Sequence, residues 1–290
     1  MISVIVPFKN AAHFLPSLIR ALTIQELPRD QFEVVFVDNQ SDDGSSALIT
    51  SAAPSFVYRL ASYTARKSSY GARNAGVRLA SGTILAFTDA DCIPEPQWLA
   101  EIARFYERAE SRDAVLSGDV RFFFADPTSP WEHFDRNVHM QNAARAVSNQ
   151  IATANMAVLL ANFHRIGDFE EVLSGADFAW SARAAQESLR VAFVAEARVL
   201  HPTRGSFIEM RRKLDRIAYG QGELCRQAQR GLTLELLRYL IRMVLPKSSL
   251  LPALSVGTEL GAAAGMVLFV GLLRIRFSQL LSFWSGYAGR

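Results

Sequence analysis

Hydrophobic positions in the first hundred residues follow two alternating patterns, short continuous runs and runs with helical spacing. The continuous runs predict strands over residues 2–7, 33–38 and 83–88, and a third strand in chain order is predicted over residues 56–60. Between them, apolar residues recur at every third or fourth position, as expected for amphipathic helices. Strands that alternate with helices are typical of an α/β fold with a doubly wound, mostly parallel sheet flanked by helices.

The pattern is less regular in the middle of the chain. Continuous apolar runs predict strands at residues 116–124 and 191–199, and a helix is predicted behind a glycine over residues 175–186. No repeat of fixed period is visible, so a solenoid is not expected. We expect a globular domain over residues 1–205 and a helical extension over residues 206–290.

The extension is apolar as well as helical. Residues 232–245 show a narrow polar stripe on an otherwise apolar helix, a pattern typical of a helix that lies in a membrane interface. Residues 248–273 contain one charged side chain, Glu259, and one proline, Pro252, within a stretch long enough to cross a bilayer. Three interpretations stay open for this stretch: a buried core helix, an interfacial or re-entrant hairpin, and a membrane-spanning helix.

Charge is distributed unevenly along the chain, whose 31 basic and 28 acidic residues give a net charge of +3. Residues 1–200 hold 18 basic and 23 acidic side chains, whereas residues 201–290 hold 13 basic and 5 acidic ones. A basic, apolar C-terminal part predicts contact with an anionic surface. Its basic residues alternate with aliphatic side chains and not with stacking aromatic ones, which favours a membrane over nucleic acid.

Cysteine and histidine residues are few and show no metal-binding spacing. Two cysteines, Cys92 and Cys225, are too few for a disulfide scaffold, and the opening residues show no secretory signal. Both features predict a reducing compartment. The histidines lack an H-x-x-x-H spacing, which disfavours zinc, and we interpret Cys92 as a packing residue.

Acidic residues follow two of the predicted strands at the point where each strand ends. Asp38 ends the second strand, and Asp89 and Asp91 follow the fourth. Ligands of doubly wound sheets bind at this edge, and paired carboxylates can hold Mg²⁺ or Mn²⁺ next to substrate phosphates. The alternatives are a solvated acidic turn at residues 89–91 and a helix N-cap at Asp38.

Three further positions could serve a phosphate-bearing substrate or the reaction itself. Arg73 lies near a predicted helix start, where a diphosphate could bind, although residues 71–76 match neither a dinucleotide-binding fingerprint nor a P-loop. Asp177 lies among apolar residues, so burial could raise its pKa toward that of a general base; a helix N-cap is the alternative. His201 ends a predicted strand and by itself is more typical of a structural histidine.

A series of motifs in sequence order resembles family two of the inverting glycosyltransferases. The motifs occupy residues 3–10, 37–45, 71–76, 81–91, 155–157, 163–169 and 175–177. The resemblance covers about residues 1–205 and implies a GT-A nucleotide-sugar fold. It divides the catalytic domain into a nucleotide-sugar half, residues 1–100, and an acceptor half, residues 101–205, and it implies a membrane-associated role for the extension.

The resemblance also implies a role for each matching position. Contacts with the nucleotide sugar are implied for Pro7, Asn10, Asp38, Arg73, Asn74 and Asp89. Asp91 would bind a divalent metal, Mn²⁺ or Mg²⁺, and His201 would be a further metal or diphosphate contact. Asp177 would be the catalytic base.

The implied reaction moves a hexosyl group from a nucleoside-diphosphate sugar to a hydroxyl of a lipid-linked or polysaccharide acceptor. A single displacement would invert the anomeric configuration. We expect a role in cell-envelope or exopolysaccharide synthesis, at the cytoplasmic side of the cell membrane, with attachment through the C-terminal region and no nucleic-acid partner.

Two departures from the family pattern and two other functions stay in view. Asn39 and Gln40 stand where the family often has Asp-Gly, which bears on base preference, and Ala176 stands where it often has Glu, so a supporting acid is missing. A sugar nucleotidyltransferase would need a basic triphosphate loop near its start, where only Lys9 is found. A non-catalytic nucleotide-sugar-binding relative is the other alternative.

Overall fold

The first four strands form a parallel sheet with the order β3-β2-β1-β4. They are β1 (Ile2–Phe8), β2 (Phe32–Asp38), β3 (Val57–Ser62) and β4 (Ile84–Thr88). The helices that connect them are α1 (Leu15–Thr23), α2 (Ser45–Ala52) and α3 (Ser69–Leu79). The structure, a computed structural model, describes residues 1–139, 141–228, 241 and 247–289. Within this range, the four predicted strands are present where the apolar runs place them.

The second half of the sheet contains antiparallel pairs. It comprises β5 (Ile93–Pro94), β6 (Ala114–Phe123), β7 (Asn155–Leu159) and β8 (Arg190–Pro202), in the overall order β3-β2-β1-β4-β7-β6-β8-β5. Strand β7 runs antiparallel to β4 and β6, and β5 runs antiparallel to β8. The sheet is therefore mixed: β1 to β4 pair in parallel, as expected, whereas the β4–β7, β6–β7 and β5–β8 pairs are antiparallel. A strand buried on both faces has the same apolar run in either direction, so its sequence does not reveal its orientation.

In the described part of the chain, five further helices lie between β5 and β8 in sequence order. They are α4 (Trp98–Glu107), α5 (Pro130–Val138), α6 (Asn142–Val147), α7 (Leu160–Ile166) and α8 (Ala176–Gln186). Short 3₁₀ turns lie at Arg29–Gln31 and Ala109–Ser111. The predicted helix at residues 175–186 corresponds to α8.

The chain divides into two compact units. The first unit comprises Met1–Arg121, Gln141–Glu171 and Ala176–His201, and the second comprises Phe122–Met140, Val172–Gly175 and Pro202–Arg290. The second unit thus takes two short segments from before residue 205. The functional boundary expected at residue 205 stays a prediction.

Three long helices dominate the second unit. They are α9 (Phe207–Gln227), α10 (Lys247–Leu260) and α11 (Ala262–Ala288). Helix α9 begins at a capping box in which Ser206 and Glu209 satisfy each other's backbone N–H groups. The predicted amphipathic helix at residues 232–245 lies outside the described residues, apart from residue 241.

The core of the second unit lies between these helices and α5. Its buried members are Trp131, Phe134, Met210, Leu214, Val256, Leu268, Leu272 and Ile275. Glycines let α9 and α11 approach closely: a Cβ on Gly222 would lie 2.1 Å from the Phe283 carbonyl oxygen, and one on Gly286 would lie 2.1 Å from that of Tyr219. Helix α11 is long and apolar enough to cross a membrane, but 33% of its most apolar window is buried inside the protein.

Glu259, the charged residue of the apolar C-terminal stretch, is bound to α5. Its carboxylate accepts hydrogen bonds from His133 Nδ1 (2.7 Å), Arg136 (2.6 Å) and Asn137 Nδ2 (3.0 Å). Burial acts to raise the pKa of Glu259, but these hydrogen bonds outweigh burial and lower the pKa to about 2. Helix α10 is therefore docked on α5 through polar contacts as well as apolar ones.

Candidate active site

The loops after β1 and β2 are joined by the first group of predicted site residues. Asn10 has a left-handed backbone, with φ of 50°, and its side-chain amide exchanges hydrogen bonds with Asp42 (2.8 and 2.9 Å). Asp38 accepts the Ser41 N–H at 2.8 Å and does not cap α2, whose N-cap is Gly44. Pro7 is buried in β1 opposite Val37. The two loops therefore form one ordered rim at the carboxyl end of the parallel strands.

Arg73 and Asp89 form an ion pair beside this rim. The Arg73 side chain is buried, and one of its terminal nitrogens contacts the Asp89 carboxylate. The guanidinium also lies over the Tyr70 ring, 5.2 Å from its centre, and its Nε has no hydrogen-bond partner in the described part of the chain. A buried donor left without a partner is costly, about 1–3 kcal/mol, and is a feature typical of functional sites.

Asn74, the neighbour of Arg73, is committed to the protein backbone. Its Nδ2 donates to the Phe169 carbonyl oxygen at 2.8 Å, and its Oδ1 accepts the Phe169 N–H at 3.0 Å. The side chain is almost fully buried. Both ends of the amide are thus used to hold the segment around Phe169 against α3, which favours a positioning role for Asn74.

Asp91 and His201 come together through the pairing of β5 with β8. Ile93 lies opposite Leu200 in this antiparallel pair, so the residues just before β5 lie beside the end of β8. The His201 Nε2 is 3.5 Å from an Asp91 carboxylate oxygen, although the two residues are 110 positions apart in the sequence. The two residues predicted to bind the metal, Asp91 and His201, therefore lie next to each other.

Cys92 joins Asp91 and His201 in a group that could hold a metal ion. Their ligand atoms all lie within 4.8 Å of one another. Burial raises the pKa of the Cys92 thiol, and the carboxylates of Asp91 and Asp89 raise it further. Without its thiol, the group offers a carboxylate oxygen and an imidazole nitrogen as donors. This donor set fits Mn²⁺ better than a softer metal.

Asp177 lies in the first turn of α8 and is buried. Tyr70 donates its hydroxyl hydrogen bond to Asp177 Oδ1 at 3.0 Å. Burial raises the pKa of the carboxyl, and the Tyr70 hydrogen bond and the charges of Arg73 and Arg145 only partly offset this effect. A carboxylate with a raised pKa can accept a proton from a hydroxyl more readily than an ordinary aspartate.

Tyr70 and Arg145 were not found by sequence reasoning. Tyr70 connects the predicted residues, since its ring lies under Arg73 and its hydroxyl contacts Asp177. Its spacing of three from Arg73 on α3 is a signal that could have been used, because such residues share a helix face. Arg145 is on α6, in the irregular middle of the chain, and no sequence pattern connects it with Asp177.

Comparison with known proteins gives a consistent result. Residues 3–162 match the sequence model of glycosyl transferase family 2. The glycosyltransferase AglE of Haloferax volcanii is 30% identical over 228 residues, which cover 76% of this chain and 72% of that protein.

Two solved structures resemble the whole chain. The mannosyltransferase PcManGT of Pyrobaculum calidifontis, in complex with GDP-Man and Mn²⁺, has a TM-score of 0.66 at 20% identity and covers 100% of this chain and 87% of that one. Residues 1–349 of Staphylococcus aureus TarS, a poly(ribitol-phosphate) β-N-acetylglucosaminyltransferase, in complex with UDP-GlcNAc, have a TM-score of 0.56 at 16% identity. They cover 99% of this chain and 90% of that one.

Proposed function

Because this chain belongs to glycosyl transferase family 2 and has a GT-A-like α/β fold, we propose that it is an inverting hexosyltransferase. Its donor would be a nucleoside-diphosphate sugar, and its acceptor a hydroxyl of a lipid-linked or polysaccharide molecule. The observation that carries the proposal is one continuous contact chain, in which Asp89 contacts Arg73, Arg73 lies over Tyr70, and Tyr70 donates to Asp177. This contact chain connects Asp89 and Arg73, which we assign to donor binding, with Asp177, which we assign to the acceptor.

Asp91 and His201 would hold the divalent metal through a carboxylate oxygen and Nε2. When bound, Mn²⁺ or Mg²⁺ supplies positive charge that stabilises the departing nucleoside diphosphate. The proximity of the two donor atoms supports this assignment. The complex of the similar PcManGT contains Mn²⁺.

The remaining donor contacts divide between the nucleoside and the diphosphate. We assign Pro7, Asn10 and Asp38 to the nucleoside, because they form the rim after β1 and β2. Asp89 and the Arg73 guanidinium would bind the ribose or sugar and the diphosphate. Asn74 would keep Phe169 and α3 in place, since its amide is fully used by the backbone of Phe169.

Asp177 would act as the base for the acceptor. Its carboxylate takes the hydroxyl proton as the acceptor oxygen forms a bond to the anomeric carbon. The bond between that carbon and the diphosphate oxygen breaks, and its electron pair leaves with the nucleoside diphosphate. Attack from the face opposite the leaving group inverts the configuration. The Tyr70 hydroxyl and the Arg145 charge stabilise the carboxylate where the family's supporting acid is replaced by Ala176.

Residues 206–290 would attach the enzyme to the cytoplasmic side of the cell membrane. The basic excess of residues 201–290 and the apolar character of α11 support this attachment. The packing of one face of α11 on the polar helix α9 supports an interfacial position for α11, with its exposed apolar side chains toward the lipid. This location suits an acceptor of the cell envelope or of an exopolysaccharide.

A donor-binding screen tests the proposal. Full-length protein is melted with a panel of GDP-, UDP- and dTDP-sugars, each with Mn²⁺, Mg²⁺ or a chelator. We expect one donor class to raise the melting temperature in the presence of metal and to lose most of this effect with chelator. A panel in which no nucleotide sugar changes the melting temperature would contradict the proposed donor.

A further inference from the structure

An open groove of about 430 Å³ lies on the second unit, on the surface that α9 and α11 share. It is lined by Phe207, Arg211, Arg274, Phe277, Ser278 and Leu281. Two guanidinium groups therefore face a cleft whose other walls are two aromatic rings and a leucine. None of these residues belongs to the site around Asp91 and Asp177.

The groove keeps an excess of positive charge. Arg274 is exposed and has no hydrogen-bond or ion-pair partner in the part of the chain that the structure describes. Arg211 is half exposed, and its Nε donates to Ser278 Oγ at 3.2 Å and lies 3.4 Å from an Asp215 carboxylate oxygen. The same carboxylate oxygen accepts the Ser278 hydroxyl at 2.7 Å. Asp215 thus offsets one guanidinium and leaves the other uncompensated.

The groove opens onto an apolar surface that runs along α11. The members of this surface are Met266, Val267, Val270, Leu273, Phe277, Leu281 and Trp284, each between 39% and 69% exposed. They recur at spacings of three and four and so share one face of the helix. A continuous exposed apolar face of this length marks a contact with a membrane or another protein. We call it the α11 apolar face.

We propose that the groove binds the phosphate of an anionic membrane lipid, with the lipid's hydrocarbon chain against the α11 apolar face. Guanidinium groups pair with phosphate oxygens through two parallel hydrogen bonds, and Arg274 is available for such a pair. Phe277 and Leu281 belong both to the groove and to the apolar face, so one lipid molecule can contact both. The inference rests on the membrane attachment proposed above and does not require glycosyl transfer.

Charge complementarity favours a lipid over a second copy of this chain. A symmetric dimer through the same face would bring the Arg274 guanidiniums of two copies toward each other. It would also join two regions in which basic residues exceed acidic ones by 13 to 5. An anionic lipid phosphate is attracted to the Arg274 guanidinium, whereas the Arg274 guanidinium of a second copy repels it.

Vesicle flotation tests the site with the full-length protein. The vesicles contain either phosphatidylcholine alone or phosphatidylcholine with phosphatidylglycerol. We expect stronger binding to the anionic vesicles, and a loss of about fivefold in affinity for Arg274→Gln, with a larger loss for Arg274→Gln combined with Arg211→Gln. Arg274→Lys, which keeps the charge, should retain more binding than Arg274→Gln.

Arg212→Gln is the matched control. Arg212 is exposed on α9, next to Arg211 in the sequence but outside the groove, and its loss removes the same charge. Equal weakening by Arg212→Gln and Arg274→Gln would overturn the site in favour of diffuse attraction. A groove-dependent dimer, detected by light scattering without vesicles, would overturn it in favour of a second copy.

Vesicle flotation and the donor-induced change in melting temperature report on the groove and on the donor site separately. If the wild-type protein binds neither kind of vesicle, both the groove site and the membrane attachment are wrong. If Arg274→Gln no longer binds anionic vesicles but keeps the donor-induced rise in melting temperature, the groove is a lipid site distinct from the donor site. If no nucleotide sugar changes the melting temperature while the protein still binds anionic vesicles, the proposed transferase function is wrong and the lipid site stands.

Discussion

Two aspartates of the candidate site lie in opposite environments, and their proposed roles follow from this difference. Asp177 is buried under the Tyr70 hydroxyl, so burial raises its pKa and prepares it to accept a proton. Asp91 is partly exposed and lies beside His201, where its carboxylate oxygen is accessible to a metal ion. At the scale of single residues, the surroundings of a carboxylate decide whether it serves as a base or as a metal ligand.

Tyr70→Phe should move the acidic limb of the pH profile of kcat/KM to higher pH. The Tyr70 hydroxyl hydrogen bond lowers the pKa of Asp177, so its removal raises that pKa further. Because the base must be deprotonated, activity is then lost at a higher pH as the solution is acidified. Tyr58→Phe, on β3, is the control and should leave the limb in place. If the acidic limb of the pH profile is unchanged in Tyr70→Phe, Tyr70 does not affect the pKa of the catalytic base.

Asp91→Asn should abolish the metal dependence of donor binding and leave the melting temperature of the free protein unchanged. An amide is a weaker ligand than a carboxylate for a hard cation. Calorimetric titration of the donor at saturating Mn²⁺ measures the effect, with Asp30→Asn, an exposed carboxylate elsewhere, as control. Equal donor affinity in Asp91→Asn and wild type would rule out Asp91 as a ligand.

The sequence pattern predicted the acidic residues of the site, but it did not predict which residues contact them. The strand-end pattern pointed to Asp38, Asp89 and Asp91, because it requires only a short apolar run followed by acids. The proximity of His201 to Asp91 depends on the pairing of β5 with β8, and β5 has only two residues, too few to give a pattern. The assignments of Asp177 as base and of Asp91 and His201 as metal ligands stay predictions.

At the scale of elements, the predicted α/β fold is confirmed, and the family match and the solved relatives agree with it. Strands β1, β2 and β4 were predictable because each is a continuous apolar run that ends at a turn, whereas the edge strand β3 contains Arg59 and is mostly exposed. The antiparallel pairs of the second half were not, because strand direction depends on connections that contain no periodic signal. The two short segments that join the second unit were likewise invisible, since packing between distant parts of the chain decides their place.

Gly286→Ala should destabilise the second unit by about 1–3 kcal/mol, the usual cost of overpacking. The new methyl group would lie 2.1 Å from the Tyr219 carbonyl oxygen, so α9 and α11 would have to separate. Gly257→Ala is the matched control, because its nearest contact is 3.6 Å away and alanine favours a helix by about 1 kcal/mol over glycine. Thermal melting compares the two, and a Gly286→Ala variant as stable as wild type would contradict the close approach.

At the scale of the whole molecule, the unequal charge distribution and the apolar helix α11 support the proposed membrane attachment. The sequence left three interpretations of residues 248–273 open. The polar contacts of Glu259 with α5 and the exposed apolar face of α11 agree with the interfacial position that we propose. Residues 232–245, whose narrow polar stripe supported the same interpretation, lie outside the described residues apart from residue 241.

Full-length protein should fractionate with membranes, resist release by high salt and be released by detergent. Basic residues near an anionic leaflet contribute about 1 kcal/mol each, which salt screens, but burial of apolar surface is not screened. The full chain is the right material, because Trp131 and Phe134 pack against α9–α11 and would be exposed by truncation after residue 205. Recovery of the protein in the soluble fraction at low salt, without detergent, would contradict membrane attachment.

The central claim, that this chain transfers a sugar with Asp177 as base, is tested most directly by comparing wild type with Asp177→Asn. The donor identified by the binding screen is supplied in labelled form with a membrane lipid extract, and both nucleoside-diphosphate release and label in the acceptor fraction are measured. We predict that turnover falls by more than about a hundredfold in Asp177→Asn while donor affinity is retained. Turnover within a few-fold of wild type would contradict the account.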